Sequence, residues 1–237
     1  MAGGARVELG HGVSVAGSVS QVVAQNLDGG APSDSLLPHV RTDYARYASE
    51  GRDLAIPTLY AERLWSPAPD VFARATAGYL EPMFAGVSGE ILWRPREQPF
   101  AIGLDINYVG QRDYDQRLGL RNYRVTTGHL SVHAELPWWN LTATLRGGRY
   151  LAGDWGGTLE VARRFDSGIE VGAFATVTNV SAAELGEGSF DKGIFIRVPL
   201  DLFGVQNRNA IGTVIRPTQR DGGQRLAVDN PLWEVTR

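Results

Sequence analysis

Between His129 and Glu135 a polar side chain recurs at every second position: His129, Ser131, His133 and Glu135. These residue types can do chemistry. Imidazole and carboxylate groups ligate zinc and similar ions, and a serine beside a histidine is the beginning of a hydrolytic nucleophile. Spacing decides what they can do together. The stretch GHLSVHAEL sets Leu130, Val132, Ala134 and Leu136 against the polar four, a period of two that reads as an extended strand. On a strand His129 and His133 lie about 13 Å apart, too far to share one ion. His133 and Glu135, about 7 Å apart, supply at most half a site. The chain has only two other histidines, His11 and His39. A Ser–His pair also needs an orienting acid, and no GxSxG elbow occurs. The row is expected to be the hydrated side of a wall strand, with no catalytic residue, metal or cofactor.

Two other motifs carry little. GEGSFDKG (186–193) lacks the G-K-[ST] ending of a phosphate loop and reads as a loop entering a strand. The carboxylate pairs Asp113 with Asp115 and Glu184 with Glu187 read as solvated loop charges.

The elements that would position such a row are long strands. Period-two alternation recurs along most of the 237 residues, for example Phe100, Ile102, Leu104, Ile106 and Tyr108 against Ala101, Gly103, Asp105, Asn107 and Val109. Strands are expected near 4–10, 13–26, 37–48, 55–65, 70–80, 86–94, 99–111, 122–136, 140–150, 156–165, 169–180 and 190–200, with one or two more in 209–229. That makes roughly 12 to 14 strands, many near the 9–11 residues of a membrane strand and longer than the soluble norm. Short turn-like connections alternate with longer polar loops, as in an up-and-down outer-membrane barrel. The expected fold is therefore all-β, an antiparallel transmembrane barrel, complete or part of a larger one. The expected role is a non-enzymatic conduit or scaffold; the alternatives are an outer-membrane glycan- or lipid-modifying enzyme and a soluble carbohydrate-binding sandwich.

Aromatic residues support the barrel. Trp65, Trp93, Phe100, Trp138 and Trp139 fall at the short-turn end and Tyr108 at the other, as expected of an aromatic girdle at each rim. Phe100 to Tyr108 spans about 26 Å along the strand, near the height of a membrane apolar band. On the opposite parity lie Glu90, Arg94, Asp105, Asn107, Arg146, Glu160 and Arg164, expected with His129, His133 and Glu135 to line the lumen. Such a lining suits a hydrated glycan or a plugged, purely structural lumen.

Composition narrows the classes. The net charge of -3 gives no basic footprint for nucleic acid. There is no cysteine, hence no disulfide or thiolate chemistry. No apolar run approaches 18 residues, so no helix spans a membrane. Only Lys192 among the 23 basic residues is lysine, and arginine suits lasting contacts with carboxylates or phosphates. The N-terminal MAGGARVELG has no apolar core and does not read as a signal peptide.

Four stretches carry a family resemblance: TAGYLEPMFAGVSGEILWRP, VGQRDYDQRLGLRNYRVTTGHLSVHAELPW, the run from RYLAGDWGG to IRVPLDLF, and IRPTQRDGGQRL. They closely resemble the YjbH/GfcD family, outer-membrane β-barrel lipoproteins linked to exopolysaccharide and group 4 capsule production. The similarity runs from about residue 40 to 230. It implies a bacterial outer-membrane location and contact with outer-membrane lipid and lipopolysaccharide. It also implies a polysaccharide partner beside a Wza-like export system. No catalytic residue transfers with it. Family members are longer and carry a signal and a lipidated cysteine, so the chain is expected to correspond to their C-terminal barrel region. On that reading 1–35 continues an upstream portion, 36–204 forms the barrel core, and 205–237 holds the last strand or strands and a polar tail. The tail reads either as a final strand pair or as an ordered periplasmic extension.

Overall fold

The computed structural model describes residues 2–22, 35–51, 53–181, 190–199, 210–217 and 219–237. Twelve strands form one sheet in strict sequence order, every neighbour antiparallel. They are β1 (Ala2–Gly10), β2 (Val13–Ser20), β3 (Ala55–Ala68), β4 (Val71–Tyr79), β5 (Phe84–Trp93) and β6 (Phe100–Arg112). The second half holds β7 (Leu120–Leu136), β8 (Leu141–Arg149), β9 (Trp155–Arg164), β10 (Glu170–Thr178), β11 (Asp191–Pro199) and β12 (Ala210–Ile215). Among the described residues no ladder joins β1 to β12, so the sheet has two free edges.

The expected strand at 37–48 is not formed. Pro38 removes a ladder donor. Beyond it Tyr44–Glu50 winds into a seven-residue helix, α1, that buries Tyr47. Arg46 pairs with Glu50 one turn on, a helical spacing that the weak alternation before it conceals. Asp43 precedes the helix without capping it, because its carboxylate is taken by His39, Tyr114 and Arg121. The strand expected at 13–26 ends at Ser20, and residues 23–26 lie outside the described ones.

Burial along the strands is inverted. On β6, Ile106 is 57% exposed and its neighbour Asn107 only 4%. On β7, Leu130 is 57% exposed and His129 2%. The same alternation recurs on other strands, whereas β1 is exposed on both faces. Trp93, Ile102, Val132, Leu145 and Leu159 form one cross-strand row of exposed apolar side chains. One position inward, Ser131, Arg146, Thr158 and Thr176 form a buried polar row.

The C-terminal segment fills the polar face. After β12 the chain turns back at the long-loop end and runs to the short-turn end, closing with α2 (Leu232–Thr236). β12 is the one further strand among the described residues of 209–229, and the tail beyond it returns along the inside instead of forming a strand pair. Wall residues from β3 to β11 reach the same segment, so the sheet curls around it. Its apolar contacts fall in two groups, Leu226 with Val228 and Leu232 with Trp233. Leu226 joins Val40, Leu80, Phe84 and Val109 near the long-loop rim. Leu232 and Trp233 join Leu92 and Ala101 near the short turns.

Close strand approach constrains two glycines. Gly78 and Gly86 face each other across β4 and β5 with φ of 137° and 153°. A Cβ on Gly86 would sit 2.2 Å from the Tyr108 carbonyl oxygen. Gly86→Ala is expected to cost about 1–3 kcal/mol, read as a lower urea midpoint followed by tryptophan fluorescence in lipid or detergent.

Candidate functional site

The polar face holds its charges in cross-strand register. Arg74, Glu90, Asp105 and His129 stand opposite one another across β4, β5, β6 and β7. Arg74 donates to Glu90 at 3.0 Å, and also to Thr76 and Ser88. His129 Nδ1 meets Asp105 at 3.1 Å, and Asn107 donates to both Asp105 and Thr127. These bonds follow from register: directly opposed strand residues place their Cβ atoms about 5 Å apart.

Between wall and tail lies a polar cavity of about 100 Å³. It is lined by Glu90, Asp105, Asn107, His129, His133, Arg146 and Glu160, seven of the ten residues expected to face the lumen. The other three lie elsewhere. Arg94 is at the short-turn rim, where it donates to Glu135 and to the Thr236 carbonyl and stacks over Trp233. Glu135 is half exposed at that rim. Arg164 is exposed at the end of β9, with its N–H on the Asn140 carbonyl.

The polar side chains of β7 have separate partners. Ser131 accepts from Arg146 Nε, not from a histidine. His133 Nδ1 bonds Thr144, and its ring stacks on Trp233 with centroids 4.6 Å apart. His129 Nε2 is buried with no hydrogen-bond partner, and its ring meets Tyr150 edge-on. No group of three or more metal-ligating side chains occurs among the described residues. Glu184 and Glu187 lie outside them, as does the first half of GEGSFDKG. Asp113 and Asp115 sit in the β6–β7 loop, where Asp115 accepts the Arg117 N–H.

The long-loop rim is closed by a second polar system. Arg112, fully buried, donates to the carbonyls of Ile56, Pro57, Glu81, Gln116 and Arg117. Arg41 pairs with Glu81 and donates to the Arg225 carbonyl. Partial burial lowers the His39 imidazole, but Asp43 and the Ser35 carbonyl outweigh it and raise its pKa above the usual range. Burial raises the Asp154 carboxyl above its ordinary value although Gly223 donates to it.

Sequence reasoning did not find the tail's part in the site. Arg225, Trp233 and Glu234 line the cavity, and so do Arg74 and Arg197 from the wall. The tail carries one signal, RDGGQRLAVDNPLWEV, in which charged and apolar residues intermingle without a strand period. Of the aromatics expected at the rims, Trp65, Trp93, Tyr108, Trp138 and Trp139 are exposed, and Phe100 is half-buried with its ring edge on Trp93.

The Arg74–Glu90 pair is the most buried ion pair of the wall, at 1% and 13% side-chain exposure. Arg74→Ala is expected to cost about 3 kcal/mol by leaving a buried carboxylate without its cation. Glu90→Gln keeps an acceptor for the Leu232 N–H and is expected to cost less. Urea unfolding of the two variants side by side checks the order.

A family model described as "Exopolysaccharide biosynthesis protein YbjH" matches residues 1–237. A curated relative from Escherichia coli (strain K12), named "Uncharacterized lipoprotein YjbH", is 42% identical over 212 residues. That alignment covers 86% of this chain and 30% of the relative, so the chain spans under a third of the relative's length. No solved structure matches.

Proposed function

The chain belongs to the YjbH exopolysaccharide-biosynthesis family, and from that membership we propose that it is part of a β-barrel wall in the bacterial outer membrane. There it serves polysaccharide secretion as a non-enzymatic conduit or scaffold. The observation that carries the reading is the inverted sheet, apolar outside and polar inside. In water such a face would aggregate, since monomers rarely expose large contiguous apolar patches. Against lipid it is the stable arrangement, because the ladders satisfy the backbone and the apolar side chains replace nothing that water would solvate. Tryptophans on the short-turn rim and Tyr108 and Trp155 toward the other fit the two interfaces of a bilayer. The relative's name as a lipoprotein supports membrane attachment. The partners that follow are outer-membrane lipid, lipopolysaccharide, a polysaccharide and an export system of Wza type.

Leu104 separates this reading from a soluble one. It is 44% exposed at the middle of β6. In water Leu104→Arg is expected to be near neutral, whereas at a bilayer midplane it costs about 2–4 kcal/mol. Stability in liposomes and retention in the membrane after alkaline washing are the readouts. A fully stable variant released into the soluble fraction would overturn the membrane proposal.

The non-enzymatic part has its own test. His129→Gln with His133→Gln is expected to leave polysaccharide output unchanged, provided the membrane level of the protein is unchanged. Loss of output at normal protein level would favour an enzyme built on the inner row instead.

A further inference from the structure

We propose that residues 219–237 are a strap that closes the polar face in cis and withdraws from it as a unit while the wall stays folded. The proposal rests on the conduit reading above. Its first support is connectivity. All eleven strand pairings lie between β1 and β12, and none uses the segment. The strap can therefore leave without breaking a ladder bond.

The second support is the chemistry of the hold. Six wall carboxylates each accept a donor from the strap. Asp154 takes the Gly223 N–H, Asp191 the Gln224 amide, and Glu81 the Ala227 N–H. Glu62 takes the Asn230 amide, Glu90 the Leu232 N–H, and Glu170 the Arg237 guanidinium. Water makes the same bonds to a carboxylate, and so do sugar hydroxyls. Each contact is thus exchangeable with solvent or with a polyhydroxylated chain, unlike a packed apolar core.

The third support is incomplete sealing. Between the two apolar ends the seam encloses the polar cavity, and both His129 Nε2 and Arg225 Nε are buried there without partners. Buried polar atoms left unpaired weaken the closed state relative to a hydrated open one. The strap's apolar contacts are Leu226 and Val228 toward one end and Leu232 and Trp233 at the other.

Hydrogen exchange on the full chain in nanodiscs tests the proposal. The strap amides are expected to exchange together, about a hundredfold faster than the β6–β7 ladder, since a sub-global opening needs less free energy than unfolding. Exchange of the strap no faster than the ladder would overturn it. A lock provides the second measurement. The chain has no cysteine, so Glu62→Cys with Asn230→Cys can be bridged by a short bis-methanethiosulfonate linker that reductant removes. Bridging is expected to slow strap exchange to the ladder rate, and reduction to restore it; strap exchange indifferent to the bridge overturns the proposal. If that double variant does not fold, Trp233→Ala replaces it. It is expected to speed strap exchange by roughly a hundredfold with ladder exchange unchanged, and equal acceleration of both overturns the strap. Bilayer conductance is recorded in parallel. Strap exchange that responds while conductance does not would remove the conduit reading and leave the strap standing.

Discussion

Each strand presents one apolar and one polar face, and its backbone groups need partners that apolar side chains cannot supply. The antiparallel ladder meets that demand within the sheet. Once it is met, side chains of one parity can be apolar and outward while the other parity is polar and inward. Everything else follows from which residues fall on which parity. Ile91, Leu104 and Leu130 stand in one outer row because Glu90, Asp105 and His129 stand in the adjacent inner one. A one-residue slip between β5 and β6 would move both rows at once and put carboxylates outside.

The interior built this way is charged, so it needs internal neutralisation. Arg74 lies between Glu90, Thr76 and Ser88, and Arg197 reaches Glu160, Glu170 and Glu234. The predominance of arginine acquires a local meaning here. A guanidinium spreads its donors over a plane, so the two terminal nitrogens of Arg112 reach five carbonyls and those of Arg197 three carboxylates. A lysine ammonium, with three donors at one point, could hold neither set.

Much of this was legible in the sequence wherever the alternation was strong. The strand from Phe100 and the one through His129 were placed to within two residues at either end, because large apolar and polar side chains alternate there without interruption. Legibility failed where the contrast between faces was weak or the partner distant. Val71, Ala73, Ala75 and Ala77 are small, so there is little contrast in the sequence to mark Arg74 on the same strand as inward. Residues 37–48 mimicked alternation, although Tyr44, Tyr47 and the Arg46–Glu50 pair follow a helical period. The tail was harder still. Its conformation is fixed by Glu62, Glu90 and Asp154, residues far away in sequence, and no local pattern encodes a partner reached only after the sheet has curled.

The two faces of the wall differ in what they tolerate losing. Remove the segment 219–237, and the carboxylates that held it gain water, which bonds them about as well. Remove the lipid proposed for the outer face, and Ile91, Leu104 and Leu130 gain water at about 25 cal/mol per Å² against them. The free edges behave like the outer face: an unpaired strand edge in hydrocarbon leaves N–H and C=O groups that nothing there can satisfy. A membrane location therefore demands that β1 and β12 each be paired, with one another or with other strands, but makes no such demand on the inner face. The polar face is the one surface of this wall whose occupant can change while the sheet stays intact.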